Sequence, residues 1–340
     1  MSTDADVLVA GETLIDFLPE RPGPLSSVEG FDRRPGGAPA NVAIALARLE
    51  RTPLFWTRVG DDPFGRFLHE TLTDYGLSER YVETDSEAKT TLAFVTHDET
   101  GDRTFTFYRE DTADTRMQPE TVDDETLSSL EWVHTGGVAL SSGSSRAATI
   151  DLCERAATQG CTVSFDPNAR PELWPDEETF ARVVGEALEY VDVLKATVEE
   201  LRMLGFGGET PAAVAREVLA GNPHTVFVTR GSEGAVAVAS VDAPWGPPPE
   251  GGDGTETGPR QADHSGFDVE VVDTTGAGDA FVAGTIAALT DGHGLEETLT
   301  FASAVAARAT TAAGAMTALP DREGVEEVLT SASESKSGTF

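Results

Sequence analysis

The stretch that decides the fold is Phe267–Leu289, FDVEVVDTTGAGDAFVAGTIAAL. Its first seven residues alternate apolar and polar like a strand, while Ala280, Phe281, Ala283, Ile286, Ala287 and Leu289 recur at helical spacing. The pattern predicts a strand over 267–273, a tight turn, and an apolar helix. Gly276 and Gly278 allow such a turn to bend sharply and to present unpaired backbone N–H groups to an anion. Asp279 then stands beside that anion, where its charge would repel a phosphate. A general base gives the carboxylate a reason to be there, because taking the proton of an attacking alcohol contributes ~10²–10⁴-fold in rate. The amides of Gly276, Ala277 and Gly278 would stabilise charge on the transferring group. The plainer alternative is that Asp279 only caps the helix.

A second glycine-rich junction lies far upstream. Pro35–Glu50, PGGAPANVAIALARLE, opens with Gly36, Gly37 and Asn41 and continues as a helix carrying Val42, Ile44, Ala45, Leu46 and Leu49. Paired glycines let a small polar ligand lie against main chain, and the Asn41 amide both donates to and accepts from hydroxyls. A plain loop–helix junction is the alternative.

Between and beyond these motifs strands alternate with helices: DVLVA, PLFWTRV, EWVHTG, CTVSFD, VDVLK and HTVFVTR each precede or follow a helical pattern. That alternation predicts one α/β domain over 1–330, a doubly wound three-layer sheet with ligands at the carboxyl ends of its strands. Two segments, about 12–35 and 90–110, read as hairpin strands and would form a small β lid. Residues 241–265, dense in Pro, Gly and acidic side chains, read as a mobile loop, and 331–340 as a frayed tail.

The two glycine motifs, in this order, resemble the signatures of the ribokinase-like carbohydrate kinases, the PfkB family. The resemblance extends to VLVAGETLIDF, RVGDDPFGRFLHETLTDYGL, FYREDTAD, SFDPNARPELW, LKATVEEL, VTRGSEGA and AAGAMTALP, and so covers most of the chain. It implies an ATP-dependent sugar kinase with Asp279 as base and the Gly276–Asp279 backbone as anion hole. It implies that Asp16, Gly36, Gly37 and Asn41 hold the sugar and that Arg109 and Arg170 reach substrate or phosphate. Lys195, Thr229, Gly231 and Gly234 would line the nucleotide site, although Lys195 could equally pair with Glu199 or Glu200.

The cofactors implied are ATP and Mg²⁺, with Glu200 acting indirectly on the magnesium surroundings. Thr197 stands where the family carries an Asn, which leaves that position without its usual amide. Asp273 and Thr275, with Gly314 nearby, match positions that supply oxygens to a monovalent cation such as K⁺; the alternative is turn hydrogen bonds only. A homodimer remains open as the assembly. Among substrates the resemblance favours fructose, then 2-keto-3-deoxygluconate, whose carboxylate Arg170 would hold, then ribose or a nucleoside. A catalytically silent sugar or nucleotide sensor is the non-enzyme alternative.

Other chemistries lack their motifs. There is no G-x-x-x-x-G-K-[ST] run and no dinucleotide-type glycine fingerprint. The six histidines, His134 among them, lack metal-ligand spacing and read as surface or packing residues. Cys153 and Cys161 read as free thiols. No run approaches a membrane span, and a cytoplasmic protein is expected.

Lys+Arg total 24 against Asp+Glu 59, a net charge of −35, with 39% hydrophobic residues. The apolar share permits a core, so the charge belongs to the surface. It argues against nucleic-acid binding, which needs basic side chains, and it points to a salt-accumulating halophile of the haloarchaeal type. Molar salt shrinks the Debye length to about 3 Å and screens the self-repulsion. The unfolding midpoint is therefore expected to rise from dilute buffer to molar KCl in thermal melts; equal midpoints would contradict this reading of the charge.

Overall fold

The computed structural model describes residues 5–21, 23–97, 103–245 and 258–337. Its strands in chain order are β1 (Val7–Ala10), β2 (Leu14–Pro19), β3 (Phe31–Gly36), β4 (Leu54–Gly60), β5 (Val82–Asp85), β6 (Leu92–His97), β7 (Arg103–Tyr108), β8 (Trp132–Gly136), β9 (Thr162–Asp166), β10 (Val193–Thr197), β11 (Thr225–Thr229), β12 (Ala235–Ala239) and β13 (Arg260–His264). Its helices are α1 (Ala38–Arg48), α2 (Pro63–Asp74), α3 (Asp124–Leu127), α4 (Ser145–Gln159), α5 (Glu177–Leu188), α6 (Val198–Met203), α7 (Pro211–Val218), α8 (Ala277–Thr290), α9 (Leu295–Ala309) and α10 (Arg322–Ser337).

Nine strands form one sheet in the order β13-β12-β11-β10-β9-β8-β1-β4-β5, parallel except where β12 and β13 pair antiparallel at one edge. The reason lies in the strand sequences. β1, VLVA, is buried along its whole length, as strands covered on both faces must be. Its side chains divide between the two faces with period two. Val7 and Val9 join the core packed with α1, α8 and α9, whereas Leu8 and Ala10 join the core packed with α4, α5 and α7. Two apolar layers on one sheet make the three-layer α/β/α architecture.

The connections run outward from β1 in both directions, so the strand order reverses between β1 and β8. Ligands of open α/β sheets bind beyond the carboxyl ends of the strands at such a point. The ends nearest to it are Gly11 and Glu12 after β1, Gly136 on β8 and Asp166 on β9, where Gly136 and Asp166 are register partners.

A second sheet of four strands, ordered β3-β2-β6-β7, is built from the two hairpin-like excursions. Phe17 stacks on Phe94 at 4.9 Å, and Phe31 and Phe64 pack edge-on against this pair. Because Phe64 belongs to α2, the aromatic cluster anchors the small sheet to the main body.

Three local expectations need correction. Residues 267–273 form no strand: Val271 and Val272 are 58% and 60% exposed, and the amides of Val272 and Asp273 both donate to the Thr310 carbonyl at the end of α9. The sheet edge beside them is already taken by β13. That strand, RQADH, lies inside the stretch read as a mobile loop, of which residues 246–257 fall outside the described residues. Finally, α10 continues through Ser337, into the segment read as a tail. Among the described residues no helix is long and apolar enough to cross a membrane.

Candidate active site

The turn before α8 has the shape its sequence suggests, but one glycine does the bending. Gly276 takes φ +78°, a left-handed conformation that side chains resist, and a Cβ there would approach Ala315 Cα to 3.2 Å. Gly278 is helical and serves differently: a Cβ on it would meet Lys195 Nζ at 3.2 Å, so its bare Cα admits the ammonium. The Ala277 amide closes the turn by donating to the Thr274 carbonyl at 3.3 Å. Among the described residues no backbone hydrogen bond engages the amides of Gly276, Gly278 and Asp279. These three amides and Lys195 are what the turn can offer to an anion, while Ala277 holds the turn's shape.

Asp279 lies on the first turn of α8 and meets α1 directly. Asn41 Nδ2 donates to Asp279 Oδ2 at 2.7 Å, a contact across 238 residues of sequence. Asn41 is 5% exposed; its Nδ2 is engaged with Asp279, while its buried Oδ1 has no hydrogen-bond partner among the described residues. Burial pushes the Asp279 carboxyl up to about 6; the Asn41 bond, Lys195 and Arg170 pull it down, while Asp166 pushes it up. A carboxyl at that value can accept a proton near neutrality.

Asp166, at the end of β9, pairs with Lys195 Nζ at 2.8 Å. Burial alone would lower the Lys195 pKa, yet Asp166, Glu200 and Asp279 hold it above the ordinary range. The ammonium is thereby kept charged beside the anion-binding turn, and its partner is neither Glu199 nor the Glu200 side chain. Glu200 accepts from the amides of Thr197 and Ala169 at 2.8 and 2.9 Å. Thr197 Oγ1 in turn accepts from the Glu200 amide, which completes a capping box at the start of α6. The hydroxyl therefore does structurally what the position requires.

The residues expected to meet the sugar come from the small sheet, the start of α1 and the loop after β9. Asp16 on β2 is the backbone register partner of Arg34 on β3, and its carboxylate lies over Gly36, where a Cβ would stand 2.1 Å from Oδ2. Gly37 caps α1. Arg109 is 6% exposed and held by Asp114 at 2.6 Å and Ser141 at 2.6 Å, while its buried Nη2 has no hydrogen-bond partner among the described residues. Arg170 lies 5.2 Å from the centroid of Phe105 on β7 and donates to the Ala169 carbonyl. It bridges the small sheet and the loop after β9.

On the nucleotide side, Thr229 ends β11 opposite Thr197 on β10. Gly231 and Gly234 flank the short turn into β12. Asp273 Oδ1 accepts from the amide and hydroxyl of Thr275 at 2.9 and 2.6 Å, and Oδ2 accepts from the Gly314 amide at 2.9 Å. This is the turn-type arrangement. No group of three or more His, Cys, Asp or Glu suited to a metal occurs among the described residues.

Sequence reasoning missed Glu12, His134 and Asp166. All three line a narrow cavity with Asp279. His134, read as a packing residue, is buried, and burial with the nearby Lys195 pushes its pKa down to about 3, so it is neutral. The signal available was position: Glu12 and Asp166 stand at the carboxyl ends of β1 and β9, and His134 lies on β8 between those strands.

Comparison with known proteins places relatives beside this chain. Residues 4–322 match the model of the pfkB family carbohydrate kinases. A fructokinase of Salmonella typhimurium is 36% identical over 315 residues, covering 91% of this chain and 94% of its own. The crystal structure of a Xylella fastidiosa fructokinase with bound ATP superposes with a TM-score of 0.81 at 32% identity, covering 97% of this chain and 99% of that one. A fructokinase double mutant of Vibrio cholerae O395, in a fructose-, ADP- and potassium-bound form, gives 0.76 at 31% identity, with 95% and 97% covered.

If Asp279 is the proton acceptor, kcat/KM should rise with pH through about 6 and level off above it, because only the ionised carboxylate accepts. Asp279→Asn should lower kcat by about 10²–10⁴-fold and flatten this limb, while sugar affinity by calorimetry changes less than about threefold. A variant with near-full turnover would remove Asp279 from the role.

Proposed function

This chain belongs to the pfkB family of carbohydrate kinases, and on that premise we propose that it is a fructokinase, transferring the γ-phosphoryl group of ATP to a fructose hydroxyl. The observation that carries the reading is the meeting of Asp279, Asn41 and Lys195 at the N-terminus of α8. Fructokinase relatives over nine-tenths of the chain support the choice of sugar.

In this reading one Asp279 oxygen is fixed by Asn41 and the other takes the hydroxyl proton. The sugar oxygen forms its bond to the γ-phosphorus as the bond from that phosphorus to the bridging oxygen of ADP breaks. Charge on the equatorial oxygens falls on the amides of Gly276, Gly278 and Asp279 and on Lys195. The small sheet carries Asp16 over the sugar and shields the reaction from water, so that phosphate passes to the alcohol rather than being hydrolysed. Thr229, Gly231 and Gly234 support the nucleotide.

A magnesium ion would neutralise charge on the ATP phosphates. The residues fit an ion carried mainly by phosphate and water, since both Glu200 oxygens are occupied by backbone amides and Glu200 shapes the loop at Ala169. The Asp273, Thr275 and Gly314 turn is where we place potassium, on the strength of the potassium-bound relative. The −35 charge supports a cytoplasmic enzyme of a salt-rich cell.

Coupled ADP-release assays in molar KCl, run with fructose, 2-keto-3-deoxygluconate, ribose and adenosine, test the proposal. Fructose is expected to give the highest kcat/KM, and activity should fall on chelation of magnesium. A better 2-keto-3-deoxygluconate rate would replace the substrate, and tight sugar binding without any turnover would indicate a silent sensor.

A further inference from the structure

Glu12 follows β1 directly, and its side chain is 3% exposed. One oxygen, Oε1, accepts from the Ala38 amide at 3.3 Å, which supplies α1 with the cap that Gly37 lacks a side chain to give. The other, Oε2, is buried and has no hydrogen-bond partner among the described residues. Glu12 lines the same cavity as Asp279, His134, Asp166 and Asn168. Capping alone explains one oxygen and leaves the second as a buried acceptor without a donor, an arrangement that proteins rarely retain without use.

We infer that Glu12 is a substrate-binding residue whose Oε2 takes a non-reacting hydroxyl of the sugar. The inference rests on the sugar-kinase reading and adds a hydroxyl-binding residue to that same site. The surroundings of Glu12 support it. Asp166, paired with Lys195 at 2.8 Å, and Asp279 line the same cavity, and His134 there is neutral. Burial pushes the Glu12 carboxyl up to about 7, against the pull of Arg109 and of the Glu12 and Ala38 amides and with a push from Asp114. Near neutrality it can therefore donate to a hydroxyl as the acid or accept from one as the carboxylate.

The test uses wild type, Glu12→Gln and Glu12→Ala with fructose, 3-deoxyfructose and 4-deoxyfructose. Glu12→Gln keeps an oxygen for the Ala38 amide, so the fold is retained even if Glu12→Ala melts early. In wild type, one deoxy sugar is expected to show a KM at least about tenfold above that of fructose, the scale of one good hydrogen bond to a charged group. In Glu12→Ala that gap should close to within about twofold, and in Glu12→Gln, where a neutral amide replaces the carboxyl, it should shrink at least about threefold, with KM for ATP unchanged in both. Fructose turnover with the wild-type gap preserved in both variants would overturn the inference alone. Absence of fructose turnover in the wild type would sink the fructose reading together with it.

Discussion

The hydrogen bond from Asn41 Nδ2 to Asp279 Oδ2, 2.7 Å long, joins two helix N-termini that are 238 residues apart in the chain. It requires α1 and α8 to pack side by side on one face of the sheet, and the many alanines of both helices permit that approach. It also requires Gly276 to turn left-handed, so that Asp279 emerges on the first turn of α8 rather than within the helix. Once both conditions hold, one carboxylate oxygen is fixed in place. The site is thus a consequence of how two helices meet.

Electrostatics refine what packing positions. Three carboxylates surround one ammonium on the floor of the cleft: Glu200, Asp166 and Asp279 all act on Lys195, and the neutral imidazole of His134 lies within reach of the same charge. Each charged side chain also has a structural anchor, Glu200 on two amides, Asp166 on Lys195, and Asp279 on Asn41. Such mutual fixing keeps an ammonium charged and a carboxylate poised within one partly dry space. In a chain with only three lysines, Lys89, Lys195 and Lys336, one of them is held here.

Much of this was legible in the sequence because it rests on local signals. Continuous apolar runs announced the parallel strands, and the glycine-rich turns before α1 and α8 announced where backbone amides would be free. The FDVEVVD segment misled because alternation records a side-chain pattern but not whether a sheet edge is open; here β13 occupies the edge and Val271 and Val272 face solvent. β13 itself, RQADH, was invisible because its polar residues pair by backbone alone with β12. Glu12, His134 and Asp166 escaped notice for a different reason. Each is a single residue whose meaning depends on neighbours brought in by the sheet order, and no local spacing encodes that order.

The most direct test of the account is the ionisation of Asp279 itself. Carbon-13 NMR of the aspartate carboxyls, titrated in wild type and in Asn41→Ala with Asp279→Asn to assign the signal, should show Asp279 titrating near 6 in wild type. Because the Asn41 bond favours the carboxylate, its removal should raise that value further. A titration near the ordinary aspartate value of about 4 in wild type, unmoved by Asn41→Ala, would contradict the claim that α1 sets the base on α8.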